Sequence, residues 1–322
     1  MKKISVFMFF VIIFISSSFS FETTGSNVIN TDNAKNIKLL EKLESHTGKV
    51  WRLNFCSNGL LASGGQYGKL IIWSNTDGKF EKKYEFKLPT LVEAVDFIDE
   101  NTVVALSNYL DVRFYSVETG ELIKKEPGYL GNIMISNDSR KIARELRGDI
   151  RVYDIDSGEL IYSIKDPAGT SFEMKFTSDD RHMITVGHEG GVILWNLETG
   201  EKIRDYKGHS GDVHAVDISF DDKYILTGAT DGKVKIWDIE TGKCLFTMYH
   251  YDGLYDVIFS PDGKIAASVG CDMMVNVWNV ETGRKLKSLH HKDEIHTVSF
   301  SPDGKYIAAG GYDGDIYIWG LE

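Results

Sequence analysis

Residues 208–238 read GHSGDVHAVDISFDDKYILTGATDGKVKIWD. Apolar and polar residues alternate through VHAVDI and KVKIW, and the apolar run YILTGA lies between them. Alternation marks a half-buried strand, a short apolar run bounded by turn residues marks a buried one, and Asp-Gly between such runs marks a tight hairpin. The stretch is therefore expected to fold as three antiparallel strands closing on Trp237, with the turn IETGK at 239–243 opening a fourth.

The same phrase recurs in both directions. Trp73, Trp195, Trp237, Trp278 and Trp319 end KLIIW, GVILW, KVKIW, VNVW and DIYIW, and Tyr115 and Tyr153 fill the slot in DVRFY and DIRVY. Successive spacings are 42, 38, 42, 42, 41 and 41 residues. Each copy carries one turn like SPDGK (260–264 and 301–305), SFDDK (219–223) or SNDSR (136–140), and most carry a second like VETGE (117–121), IDSGE (155–159), LETGE (197–201) or VETGR (280–284). Seven copies at this period describe a stack of four-stranded units, none able to bury its faces alone. No stretch shows a 3.6-residue period, so helix is expected to be nearly absent.

These copies resemble the WD-repeat family over roughly residues 37–322. The resemblance rests on Gly208-His209 and Trp237-Asp238 at the two ends of the best copy and on the SPDGK turns of the last two. The terminal dipeptide drifts elsewhere, and the copies at about 88–166 are the weakest. The fold implied is all-β, a seven-bladed β-propeller. Ring closure is expected from the N-terminal side. The chain reaches Glu322 three residues after Trp319, which leaves the last blade without an outer strand. Leu40 and Leu43 precede His46 at the offsets at which Ile203 and Tyr206 precede His209, so residues 37–45 are expected to complete that blade.

The resemblance also implies a buried polar network: a His before the first strand, a Ser or Thr on the second, an Asp in the tight turn, and the Trp. Two blades match all four positions, with His209, Thr227, Asp231 and Trp237, and with His250, Ser268, Asp272 and Trp278. Blade 1 has His46, Ser63 and Trp73 but Tyr67 in the Asp slot, and blade 7 has His291, Asp313 and Trp319 but Ala309 in the Ser slot. Those two networks are expected to be incomplete, and blades 2 to 4 lack the His. A structural role thus accounts for four of the nine histidines.

One further set stands out. The residue just inside each first strand is, in blade order, Trp51, Glu93, Gly131, Phe172, His214, Tyr255 and His296. In the family this position lies near the mouth of the central channel, on the face where partner peptides dock. Amphipathic rings at a concave mouth suit a binding hot spot. Turn residues Tyr67, Tyr109, Tyr129 and Tyr312 are expected beside it. The alternative is that these rings only fill the mouth.

Composition narrows the function classes. The chain has 31 glycines and 5 prolines in 322 residues, as suits many tight turns, and a net charge of −11. So acidic a surface is a poor match to a phosphate backbone and favours a basic partner, so no nucleic acid is expected. Cys56, Cys244 and Cys271 follow no metal or redox spacing and are expected as buried or half-buried free thiols. His188, His214 and His296 follow no metal-ligand spacing either, and no cofactor is implied. No phosphate loop, nucleophile elbow or His-Glu-x-x-His is present.

Residues 1–20 read MKKISVFMFFVIIFISSSFS: two lysines, an apolar run, then small polar residues. This is the layout of a secretory signal peptide, and its apolar run is shorter than a bilayer span. An uncleaved anchor, the only route to the membrane here, is the alternative. The expected organisation is a signal peptide at 1–20, a flexible lead-in at 21–35 and the propeller at 36–322. The expected function is an exported, non-catalytic scaffold, periplasmic, extracellular or in a secretory lumen, acting as a monomer or as a subunit of a complex. It would bind a protein or peptide partner at the mouth. A channel-based enzyme or a redox or metal accessory protein of the cell envelope is the alternative.

Overall fold

The structure, a computed structural model, describes residues 27–107, 111–127, 133–146, 149–165 and 171–322. Seven four-stranded antiparallel sheets stand around a central channel. The chain enters through β1 (Lys38–Glu44). Blade 1 is β2 (Val50–Phe55), β3 (Leu61–Gly65), β4 (Lys69–Thr76) and β5 (Lys79–Lys87). Blade 2 is β6 (Val92–Asp99), β7 (Thr102–Ser107), β8 (Asp111–Ser116) and β9 (Leu122–Pro127). Blade 3 is β10 (Ile133–Ile135), β11 (Lys141–Leu146), β12 (Asp149–Asp154) and β13 (Leu160–Lys165). Blade 4 is β14 (Ser171–Phe176), β15 (His182–Gly187), β16 (Val192–Asn196) and β17 (Lys202–Asp205). Blade 5 is β18 (Val213–Ile218), β19 (Tyr224–Ala229), β20 (Lys233–Asp238) and β21 (Cys244–Tyr249). Blade 6 is β22 (Leu254–Phe259), β23 (Ile265–Gly270), β24 (Met274–Asn279) and β25 (Lys285–His290). Blade 7 is β26 (Ile295–Phe300), β27 (Tyr306–Gly311) and β28 (Asp315–Gly320), completed by β1.

Closure follows the expected register. β1 pairs antiparallel with β28, with Leu43 opposite Ile316 and Leu39 opposite Trp319. The inner strand of blade 7 packs beside that of blade 1, so the last blade meets the first. Helix is confined, among the described residues, to 3-10 turns at Ala34–Asn36 and His188–Gly190.

Each seam between blades is its own hydrophobic core. Seven buried clusters are found among the described residues, one per seam. The seam of blades 5 and 6, for instance, joins Leu226, Val234, Ile236 and Met248 to Val257, Phe259 and Trp278. Stability is therefore distributed around the ring as a series of nearest-neighbour contacts.

The expected flexible lead-in at 21–35 needs correction from Val28 onward. Val28, Ile29 and Ala34 are buried, and Ile29, Ala34 and Ile37 join the core between blades 6 and 7. The Ile29 amide donates to the Gly304 carbonyl at 3.0 Å. The polar, aperiodic composition hides two apolar residues, Ile29 and Ala34, that the seam takes in. Residues 1–26, including the expected signal peptide, lie outside the described residues. Of the three free cysteines, Cys56 is buried and Cys271 half-buried as expected. Cys244 is exposed, because it opens an outer strand at the rim.

Candidate functional site

The inner strand of a blade pairs on one side only, so its free edge lines the channel. In every blade where the position is described, the inner strand carries an irregularity at its second residue. The pairing register skips Trp51, Glu93, Phe172, His214, Tyr255 and His296. A bulge leaves one residue out of the ladder and re-aims its side chain. The six residues singled out from the sequence are thus the bulged residues of their strands, and all stand at one level of the channel. Gly131, Tyr109 and Tyr129 lie outside the described residues.

Five of the six bulged residues are rings, and the five meet in one arc. Phe172 stacks on His214 at 4.6 Å between centroids, and His214 meets Tyr255 edge-on at 6.3 Å. Tyr255 stacks on His296 at 4.3 Å, and His296 packs against Trp51 at 4.6 Å. Tyr312 joins the far side of His296 at 4.9 Å, and His188 caps Phe172 at 4.5 Å. Tyr67, exposed and lying against Gly48, is not stacked with the arc in any ring pair of the described residues. Glu93 is half-buried on the neighbouring inner strand.

The electrostatics of the arc are those of neutral rings. Burial lowers the His296 imidazole to about 4, with Lys49 and Arg52 adding to the effect. Burial also lowers His214, against the pull of Asp212. Burial raises the Tyr255 hydroxyl, which stands 3.4 Å from Glu294. Three buried polar atoms of the ring residues have no hydrogen-bond partner: Trp51 Nε1, Glu93 Oε2 and His296 Nε2. The Glu93 carboxyl is accordingly pushed up by burial, although Arg52 pulls it down.

The polar networks between strands are quite different. In blade 5, Trp237 Nε1 donates to Thr227 Oγ1 at 2.8 Å, Thr227 Oγ1 meets His209 Nε2 at 2.8 Å, and His209 Nδ1 meets Asp231 at 3.2 Å. An indole N–H only donates and a carboxylate only accepts, so the chain of protons runs from Trp to Asp and every atom is used. Burial opposes ionisation of Asp231, but the Ser210 amide and His209 hold it at about 2. Blade 6 repeats the chain through Trp278, Ser268, His250 and Asp272, with contacts of 2.7, 2.6 and 2.9 Å.

The two blades expected to be incomplete are so. His46 Nε2 meets Ser63 Oγ at 2.9 Å, but His46 Nδ1 has no partner, and burial with Lys69 nearby drives the ring down to about 3. Gly65 permits this packing, since a Cβ there would stand 2.3 Å from His46 Nδ1. In blade 7, facing Ala309, His291 turns Nδ1 to the Asp293 carbonyl at 3.1 Å and leaves Nε2 without a hydrogen bond.

A family model, WD domain, G-beta repeat, matches residues 37–74, 200–238, 242–279 and 283–320. Together with the seven sheets, this decides the family. The chain is a WD-repeat β-propeller. No curated protein matches it. WD-repeat propellers are in general non-catalytic platforms for protein interaction. The matched repeats take in the three inner strands of blades 1, 5, 6 and 7, each with the outer strand before it, while blades 2 and 3 and the first three strands of blade 4 are propeller by structure.

Below the mouth, the WD-repeat channel holds a charged lattice that sequence reading missed. Glu173 accepts the Val216 amide at 2.8 Å, Asp217 the Phe259 amide at 2.8 Å, and Asp256 the Val298 amide at 2.9 Å. Thr297 accepts the Leu53 amide at 3.1 Å. In each case a side chain of one blade satisfies a free-edge amide of the next, which otherwise would be a buried orphan. Arg52 and Lys175 balance part of the charge, Arg52 standing 3.5 Å from Glu173 and Lys175 3.8 Å from Asp217. Burial nevertheless raises both Asp217 and Asp256. A faint signal existed: acidic residues recur on successive inner strands at the blade spacing. Among the described residues, no group of three or more His, Cys, Asp or Glu could hold a metal ion.

Proposed function

We propose that this WD-repeat propeller is an exported, non-catalytic platform that captures a protein or peptide partner at the ring-lined mouth. The observation that supports this reading best is the bulged ring. Six inner strands each release one residue from pairing at the same level, and five of those residues are rings in contact with one another. Filling a channel mouth needs only apolar bulk. Here three polar atoms are buried without partners on the same rim, whereas the networks of blades 5 and 6 are complete. An orphaned polar group costs about 1–3 kcal/mol, so such groups clustered at a concave rim suit a surface completed on binding. The acidic net charge of −11 favours a basic partner.

Residues 1–20 supply the export reading, placing the partner outside the cytoplasm. N-terminal sequencing of the native protein should find a chain starting after residue 20, and a chain retaining Met1 would rule out a cleaved signal. The docking reading is tested by replacing Trp51→Ala and Tyr255→Ala together. Affinity capture from the native compartment should lose the partner while the melting temperature stays within a few degrees of the parent. Undiminished capture would put the partner elsewhere.

A further inference from the structure

We propose that the channel mouth is a seat for one cationic side chain, an arginine or lysine of the partner's docking segment, and that Lys49 occupies that seat in the free protein. The seat presupposes docking at the mouth, as proposed above, and specifies the chemistry that is selected there.

The occupant is visible. The Lys49 ammonium stands 3.3 Å from the centroid of the Tyr312 ring and 5.4 Å from that of Trp51. Among the described residues, no carboxylate forms an ion pair with it. Ring faces alone hold this ammonium, through the attraction of a cation to the negative face of an aromatic ring. Tyr312 continues through His296 to Trp51 and Tyr255, so the same kind of face extends across the arc. His296 is a neutral imidazole at ordinary pH and adds no repulsion.

The charge around the rings has the sign a cation needs. Glu93 follows Trp51 on the next inner strand and keeps one carboxylate oxygen buried and unpartnered. Arg52 offsets only part of the burial cost of the Glu93 carboxylate, and a cation beside it would offset more. Glu294 reaches the other wall at the Tyr255 hydroxyl. The guanidinium below the mouth, Arg52, is engaged with Glu173 and is not free to receive an anion. An ammonium held by ring faces alone is also easily displaced, because it forfeits little by moving into water.

The test uses capped pentapeptides of glycine with a central Arg, Gln or Glu, titrated into the isotope-labelled protein. The readout is the Trp51 indole N–H resonance, assigned by its loss in Trp51→Phe. The Arg peptide should shift that resonance at a concentration about tenfold lower than the Gln peptide, and the Glu peptide should bind more weakly still. Glu93→Gln should weaken the Arg peptide about tenfold. Lys49→Gln should tighten it about threefold, by emptying the seat. Equal binding of the Arg and Gln peptides, a preference for Glu, or no shift with any peptide would overturn the cation seat. Partner capture that still depends on Trp51 and Tyr255 would then leave the docking reading standing, whereas capture indifferent to both would remove that reading itself.

Discussion

Blades 5 and 6 and blades 2 and 3 make the same sheet by different means. In blades 5 and 6 a Trp, a hydroxyl, a His and an Asp form one chain of hydrogen bonds, and each outer strand lays an apolar residue on the neighbouring blade. In blade 2 the hydroxyl slot holds Ala105, and the seam with blade 1 is filled by Phe86 stacked on Tyr115 at 4.3 Å. In blade 3 the hydroxyl slot holds Arg144, whose guanidinium lies over Tyr153 and pairs with Glu126 of blade 2. Glu126 stands where six other outer strands place Leu43, Phe86, Ile164, Tyr206, Met248 and Leu289. A seam therefore needs its volume filled and its polar atoms paired, and does not need one particular set of residues. The family phrase is one solution to that requirement. Blades 2 and 3 and the first three strands of blade 4, where the family model finds no match, close the ring with others.

The largest effect should come from breaking the substitute solution. Arg144 and Glu126 are nearly buried, and burial opposes the charge on Glu126 while Lys124 and Arg144 hold its carboxyl below the usual range. Glu126→Leu restores the residue type of the other blades but strips the guanidinium of its carboxylate. It should cost about 3–5 kcal/mol, the toll of breaking a buried pair from one side. Glu126→Leu with Arg144→Met should recover that loss, since an apolar replacement of a whole buried pair is often neutral or stabilising. Chemical denaturation of the two variants decides it. A double variant no more stable than the single would show that the ion pair is not what holds this seam.

This contrast also measures how much could be read in advance. The period of the Trp slot, the hairpin turns and the spare strand at 37–45 gave the architecture, because blades are built by local hairpins whose signals are contiguous in the chain. Position inside the first strand singled out Trp51, Phe172, His214, Tyr255 and His296, although the bulge that aims them appears only in the pairing. The channel lattice was not legible. Asp217 and Asp256 look like exposed polar positions of alternating strands, and their partners are backbone amides of the next blade, which no residue type announces. The buried Ile29 was hidden for a similar reason, since one apolar residue in a polar stretch becomes core only when a seam lies beside it.

An intermediate effect tests the family network itself. Thr227→Val keeps the shape of blade 5 and removes the one atom shared by His209 and Trp237. Two buried nitrogens would lose their partner, and the expected loss is about 1–3 kcal/mol. The matching change in blade 2, Ala105→Val, touches no such chain and should act through packing alone. If Thr227→Val unfolds at the same denaturant midpoint as the parent, the hydrogen-bonded chain contributes nothing net and the two kinds of blade differ only in volume.

The smallest effect should come from converting one blade into the other kind. Blade 1 has the His, the Ser and the Trp of the network but Tyr67 where blades 5 and 6 have Asp, and His46 Nδ1 is left alone. Tyr67 is exposed, so Tyr67→Asp disturbs no core and creates an Asp-Gly turn with Gly68 like that of Asp231 and Gly232. The new carboxylate should accept the His46 Nδ1 proton and stabilise the protein by about 1 kcal/mol at neutral pH. The pH dependence provides a second check. His46 titrates near 3 when folded against 6.5 for a free imidazole, so the folded protein favours the neutral ring. Its contribution is present above pH 6.5 and is lost as pH falls from there towards 3. A carboxylate beside Nδ1 raises the folded value and narrows that window. The variant should therefore gain on the parent most clearly between pH 4 and pH 6. Melting curves that run parallel across this range would mean that the aspartate at 67 does not reach His46, and that the turn of blade 1 is set apart from those of blades 5 and 6 by its backbone and not by one side chain.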